Sequence, residues 1–529
     1  MTPQDLGFPE SYSEFRPAQS EAVEFCLTSE RRVTGIGAPT GVGKSGIAFS
    51  LAKVLGGRTV ILTANLGLER QYTNCFGQAV ANIRGRANYR CWEGGSCEDG
   101  ARMSCQAKGN CLYTQALKAA QQAPIVVTNY AYWLAVNSKG RGLGQFDTLI
   151  CDESCQAVEW LSRALDFHIG ERECREAKVV LTGPPGEAID EWQGWASAVQ
   201  CGAEAALLIA KARALVAPSH ARDRLAMAAR KAESLVDRAA RLASISQDNW
   251  VVTRNDGTDD GRIWRFECVW PGQYRERLLQ GIERVVLMSA TLRPKTMALL
   301  GIARDRYEFQ EWGRQFPAAN GPVIWWPCGQ WGPDGKLTPL RVNHRMNEHD
   351  EGLWLGHIAA ILNARSDRRG LIHSKSYARA RRIADSIGKG HWLKLNGAAD
   401  PESGNAREAF DAFLRGPDNA VLCSPSFSMG WDFAGRAAEY QIIAKIPIPD
   451  TRSKVMQARL DKDRGYGDYL AAQELVQACG RIVRSPDDRG ETVIVDDSWQ
   501  WFGYKAREHF PRWFKVRMEK ELPRPLEKL

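Results

Sequence analysis

Residues 31–64 read RRVTGIGAPTGVGKSGIAFSLAKVLGGRTVILTA, and this stretch decides the fold. Arg32 to Ile36 predicts a short strand. The Gly/Pro/Thr cluster after it predicts a turn, Ser45 to Leu55 an amphipathic helix, and Arg58 to Ala64 a second strand. Strand, helix and strand at this spacing make a βαβ unit and therefore a parallel sheet. Inside it, Ala38-Pro39-Thr40-Gly41-Val42-Gly43-Lys44-Ser45 has the spacing of a phosphate-binding loop. Gly41 and Gly43 let backbone N–H groups turn toward phosphate oxygens, and the helix that follows presents the positive end of its dipole. Lys44 then neutralises the β- and γ-phosphates, and the Ser45 hydroxyl is a magnesium ligand. A glycine-rich turn that binds nothing is the plain alternative; the flanking strand and helix argue against it.

Further along, buried strands are expected at Pro124 to Thr128 and at Asp147 to Cys151. The second runs into Asp152-Glu153, one carboxylate to hold magnesium and one to orient and deprotonate an attacking water. From Gln156 to about Ser246 the composition turns to Ala, Arg, Glu and Leu. There Leu225, Ala228, Ala232, Leu235, Ala239 and Leu242 recur at steps of three and four, the seam of a helix packed on a partner helix. Ala203 to Val216, before the break at Pro218, supplies that partner. The α/β pattern resumes at Glu283 to Leu292, and a second run of strands follows at GPVIWW, RGLIHS, NAVLCS, YQIIAKIP and ETVIVDD. Gln477, Arg481 and Arg484 form a QxxGRxxR pattern on an expected helix of that second half, with arginines suited to reach a γ-phosphate across a cleft.

At 529 residues, three to four folding units are expected. A 44% apolar and 25% charged chain is an ordinary globular composition. The N-terminal MTPQDLGFPESYSEF lacks the features of a secretion signal, and no apolar run is long enough for a bilayer, so a cytoplasmic or nucleoid-associated protein with no membrane partner is expected. The net charge of +8 suits a polyanionic partner without requiring one. Of fourteen cysteines, four fall at Cys91, Cys97, Cys105 and Cys111, in an insertion that interrupts the α/β alternation from about Arg84. In a reducing compartment such a cluster points to metal or redox chemistry instead of disulfides.

In their order, these motifs resemble the iron-sulfur XPD/DinG family of superfamily 2 helicases. Phe15 to Gln19 is similar to the family's Arg-Pro-x-Gln element, and LTANLGLERQ to motif Ia. VLMSATL is similar to motif III, GLIHSKS to motif IV and SFSMGWDFAG to motif V, with DRGETVIVDD after motif VI. The resemblance implies two RecA-like parallel-sheet lobes, with an iron-sulfur insertion and a helical arch-like insertion in the first. The boundaries are 1–83, 124–158 and 263–302 for lobe 1, 84–123 for the iron-sulfur insert, 159–262 for the arch and 303–529 for lobe 2. It implies adenine contact by Arg16 and Gln19, and nucleotide binding by the phosphate loop, Gly430 and Asp432. Lys44, Asp152, Glu153, Gln477, Arg481 and Arg484 would carry ATP hydrolysis, with magnesium on Ser45 and Asp152. Cys91, Cys97, Cys105 and Cys111 would hold a 4Fe-4S cluster, zinc being the other reading of four thiolates.

The implied activity is that of a monomeric, ATP-dependent motor on single-stranded and forked DNA, moving 5′ to 3′ and unwinding duplex. Two alternatives stand beside it: an ATPase that remodels without strand separation or acts on RNA, and a DNA-binding redox sensor with a weakened ATPase. The chain departs from the family where Asp152-Glu153 is followed by Ser154-Cys155 instead of Ala-His, and where Met429 precedes Gly430 in place of a glutamate.

Overall fold

The computed structural model describes residues 2–10, 12–92, 94–102, 111–137, 142–177, 179, 186–255, 261–387, 393–395, 406–425, 433, 435–515 and 518–519. Two seven-stranded sheets organise it. The first runs Tyr307–Glu311, Val33–Gly37, Arg284–Ser289, Thr148–Asp152, Thr59–Thr63, Ile125–Asn129 and Ala81–Asn82, all parallel. Its central strands are buried along their whole length, as near-continuous Val/Ile/Leu runs require when helices cover both faces. The second runs Leu393–Leu395, Val421–Ser424, Gly370–His373, Tyr440–Ile443, Glu491–Ile494, Val323–Trp325 and Met518–Glu519, again parallel. Every strand expected from sequence is present, within a residue or a few at its ends.

Three expectations need correction. The first sheet does not end at residue 302: Tyr307–Glu311 pairs with Val33–Gly37 along five residues and forms the sheet edge. Its five residues alternate, apolar Tyr307 and Phe309 with polar Glu308 and Gln310, and the half-polar pattern suits a sheet edge. The arch-like insertion is not wholly helical. Phe167–Gly170, Ile263–Cys268 and Trp250–Asn255 form an antiparallel sheet at its base, so the insertion runs past residue 262. Finally, Arg481 and Arg484 lie outside a helix, because Tyr466–Cys479 ends at Gly480.

From the base sheet rises a hairpin of two helices, Ile189–Val216 and Ser219–Ser244. The seam residues Ala232, Leu235, Ala239 and Leu242 are buried. Toward the tip the seam residue Leu225 is half-buried and Ala228 exposed, and Leu208, Leu215, Val216 and Met227 are exposed on the same part of the hairpin. Trp192, Trp195, Trp264 and Phe266 meet at ring distances of 5.2–5.8 Å where hairpin and base sheet join. These aromatics are core, which accounts for part of the chain's high tryptophan count. Among the described residues no helix is long and apolar enough to cross a membrane.

Candidate active site

The phosphate-binding loop leaves the strand Val33–Gly37 at the C-terminal edge of the first sheet, where α/β proteins place ligands. Gly41 and Gly43 take φ of 83° and 88°, the left-handed region that glycine enters without a Cβ penalty. Ala38, Pro39 and Val42 are buried beneath the loop and Thr40 is half-buried. Arg16 and Gln19 brace it from the first helix: the Arg16 guanidinium donates to the Gly41 carbonyl, and Gln19 Nε2 donates to the Gly43 carbonyl at 3.1 Å. Both side chains thus hold the loop itself. Lys44 opens the helix Lys44–Val54, with Nζ 3.4 Å from the Ala38 carbonyl and 3.9 Å from Glu153 Oε1. Ser45 Oγ accepts from Gln71 Nε2 at 3.2 Å.

The carboxylates sit at the end of the neighbouring strand. Asp152 is buried; its Oδ2 accepts from the Tyr72 hydroxyl at 3.0 Å and its Oδ1 from the Glu153 amide at 2.9 Å. Burial, then the adjacent Glu153 charge, pushes the Asp152 carboxyl up to about 6, against the opposing pull of Lys44 and Tyr72. Glu153 is one of only three non-glycine residues with positive φ among those described, at 50°. Such strain collects where a side chain must be aimed. Glu153 Oε2 accepts from Ser289 Oγ at 2.8 Å and from Gln477 Nε2 at 3.3 Å.

Gln477 comes from the second lobe. It lies in the last turn of Tyr466–Cys479 and also donates to Cys155 Sγ at 3.1 Å and Thr291 Oγ1 at 3.4 Å. Ser289 Oγ lies 3.3 Å from the same sulfur. Cys155 therefore occupies the junction between the two carboxylates, the Ser289-Ala290-Thr291 segment and the second lobe. A thiol is a weaker partner than an imidazole, yet the connection is made. Burial drives the Cys155 thiol up to about 12, so it sits here as a neutral group. The 480–484 segment packs on the phosphate loop: a Cβ on Gly480 would press on the Thr40 side chain, and one on Gly41 would collide with the Arg484 carbonyl. Arg481 is buried. Lys44, Asp152, Glu153 and Gln477 are thus brought to one inter-lobe cleft, the backbone of Arg484 packs on its phosphate loop, and Arg481 lies within electrostatic reach of His373. Gly430 and Asp432 lie outside the described residues.

Sequence reasoning missed Tyr72, Gln71 and Ser289 as site residues. Gln71 and Tyr72 sit at or beside the LTANLGLERQ stretch, but nothing in their spacing distinguishes a residue aimed at Asp152 from one packed in the core. Ser289 and Thr291 stood inside a noticed motif without an assigned role.

In the cysteine segment Cys91 and Cys111 each lie within electrostatic reach of Cys97. Burial, then Cys111, pushes Cys97 up to about 11; Cys111, opening the helix Leu112–Gln122, is lowered by its hydrogen bond with Thr114. None of the three forms a disulfide. Cys105 lies outside the described residues, and among the described residues no group of three or more ligating side chains is set to hold a metal. Thiols are the donor type that a thiolate-bound group takes, and Cys91, Cys97 and Cys111 lie in one stretch of the chain.

Residues 358–517 match the family model described as Helicase C-terminal domain. The ATP-dependent DNA helicase DinG of Photobacterium profundum is 26% identical over 138 residues, 24% of this chain and 20% of that protein; the chain thus spans only a fifth of that relative. Among solved structures, an XPD helicase aligns with 96% of this chain and all of its own at a TM-score of 0.61 and 14% identity. S. tokodaii Xpd4 aligns with 96% of this chain and 100% of its own at a TM-score of 0.59 and 13% identity. The chain thus shares the fold of these XPD structures, and residues 358–517 are similar to the helicase C-terminal domain.

Proposed function

We propose that this chain hydrolyses Mg-ATP to move along single-stranded DNA, 5′ to 3′, and to separate duplex strands. One observation carries the reading: Glu153, 3.9 Å from Lys44 in its own lobe, is bonded by Gln477 from the other. A group that touches both lobes at the hydrolytic carboxylate makes hydrolysis sensitive to closure, and closure is what moves a motor's two grips relative to each other. Lys44 and the loop amides bind the β- and γ-phosphates, with Arg16 and Gln19 holding the loop and lying toward the adenine side. Ser45 and Asp152 are the residues that would hold magnesium, whose chemistry is to neutralise charge on the bridging phosphate oxygens. Glu153 orients the attacking water and accepts its proton. Arg481 and Arg484 stabilise charge on the γ-phosphate, and Gly430 and Asp432 complete the second-lobe contacts.

The same reading gives Cys91, Cys97, Cys105 and Cys111 a 4Fe-4S cluster, which supplies cross-links to a small polar segment. Single-stranded and forked DNA are the partners of a monomer located in the cytoplasm or on the nucleoid. The intact Cys155–Gln477 connection favours a working ATPase over a redox sensor with a weakened one. Unwinding of forked DNA with a 5′ tail, a 3′ tail and matched RNA, alongside ATP turnover, tests the proposal. Turnover without response to any strand would reject it, and turnover without strand separation would favour the remodelling ATPase.

A further inference from the structure

The helix Tyr466–Cys479 lays one face along the first lobe. Tyr466 packs edge-on against Trp270 at 4.9 Å, and the Tyr469 hydroxyl shares a 2.7 Å bond with Thr296 Oγ1. Gln473 Nε2 reaches the Thr291 carbonyl at 3.5 Å, and Gln477 reaches Glu153 and Cys155. These positions recur at steps of three and four, a single stripe from one end of the helix to the other.

At the end of that stripe remote from ATP stands Arg459, on the preceding helix Lys454–Lys462. It is 5% exposed, and its guanidinium is filled by first-lobe groups. Nε donates to the Val269 carbonyl at 2.8 Å, and Nη2 donates to Ser162 Oγ at 2.6 Å and to the Cys268 carbonyl at 3.2 Å. Nη1 donates to Glu159 Oε2 at 3.3 Å, while Trp270 and Tyr466 flank the cation with ring centroids at 5.7 and 5.8 Å. The partners have a pattern. Glu159 and Ser162 belong to Ala157–Leu165, the helix that continues from Asp152-Glu153 through one tight turn. Cys268 ends the base sheet that carries the helical hairpin, and Val269 follows it.

We infer that Arg459 is a positioning residue: it fastens the helix Ala157–Leu165, through Glu159 in its first turn and Ser162 in its middle, to the Tyr466 end of the helix whose other end carries Gln477, and it ties the hairpin's base to the same movement. This rests on the motor reading above. A planar five-donor cation with its stem buried has one geometry, whereas a lysine in its place would satisfy at most part of the set. If the lobes part, either this cluster breaks, leaving a charge without its partners, or the hairpin base travels with the second lobe. Either way load on the hairpin is felt at Gln477.

The test uses full-length wild-type protein, Arg459→Met, Arg459→Lys and, from the partner side, Ser162→Ala. Three quantities are read: Kd for Mg-ADP, kcat for ATP with saturating single-stranded DNA, and hydrogen exchange of residues 44–54, 157–165 and 466–479. Arg459→Met is expected to lower kcat about tenfold with Kd held within about twofold, and to speed exchange in both helices together. Arg459→Lys should fall between it and the wild type. Unchanged kcat in Arg459→Met would overturn the inference. So would a matching loss of Kd and kcat with faster exchange in Lys44–Val54, which marks general destabilisation. If Arg459→Met does not fold, Ser162→Ala decides: a kcat lowered about threefold with faster exchange in both helices supports it, and wild-type values refute it. If wild-type protein hydrolyses no ATP, the motor reading fails, and the exchange data alone decide whether Arg459 links the helices.

Discussion

The ATP cleft and the cysteine segment are built in opposite ways. In the cleft each working side chain is held by neighbours from another element: Asp152 by Tyr72, Glu153 by Ser289 and Gln477, Ser45 by Gln71. Among the described residues, the cysteine segment is held by aromatic contacts at its margins. Tyr89 and Tyr113 pack edge to face at 5.6 Å, Arg86 covers Tyr113 at 4.7 Å, and the Tyr113 and Tyr132 hydroxyls meet at 3.1 Å. Between those anchors Trp92 is 73% exposed, and Cys91 and Cys111 lie within electrostatic reach of Cys97. A site assembled from sheet edges and buried hydrogen bonds is pre-formed by the fold. On the proposed cluster reading, the cysteine segment takes part of its order from a bound group.

The strongest way to sharpen that contrast is Lys44→Ala. It should reduce ATP turnover at least about a hundredfold, since a cation is lost where phosphate charge concentrates, while the melting temperature barely moves. Steady-state kinetics and a thermal melt check both halves. Next, Cys111→Ser should release bound iron and abolish unwinding, yet leave DNA-independent ATP hydrolysis within about twofold, because sites without shared partners behave additively. Iron analysis with paired ATPase and unwinding assays reads this, and equal loss of both activities would break the distinction. Gln477→Ala should lower DNA-stimulated turnover about tenfold, with little change in nucleotide Kd.

The smallest expected effect on turnover comes from His373, in the second lobe. Burial, against the hydrogen bond with Gln441, holds its ring pKa down to about 4. The unfolded chain therefore binds a proton that the folded one refuses between about pH 6.5 and pH 4, so stability is lost as pH falls through that window. At pH 5 the loss is about 2 kcal/mol relative to pH 7.5. Melts of wild type and His373→Gln across this range should show a shallower acid decline in the variant; parallel declines would contradict the assignment.

Much of this was legible in advance because the informative features are local. The βαβ reading of residues 31–64, the loop glycines and the acidic pair after an apolar strand depend on neighbours in the chain. Tyr307–Glu311 was misassigned because membership in a sheet is a long-range property that a half-polar edge strand does not advertise. The base sheet of the arch was hidden for a similar reason: its strands lie on both sides of the helical hairpin, and the Ala/Arg/Glu/Leu composition of the hairpin dominates the region. The consequence of Cys155 was also beyond reach. Sequence showed a histidine-to-thiol departure, and only the placement of Ser289, Thr291 and Gln477 around the sulfur showed that the inter-lobe link persists.

The central claim is that the Lys44–Glu153–Gln477 cleft powers movement on a DNA strand. ATP turnover measured with and without single-stranded DNA, for wild type and Lys44→Ala side by side, tests it most directly. The account predicts turnover that rises with added strand in the wild type and vanishes in the variant. Turnover indifferent to DNA, or equal in the two proteins, would contradict it.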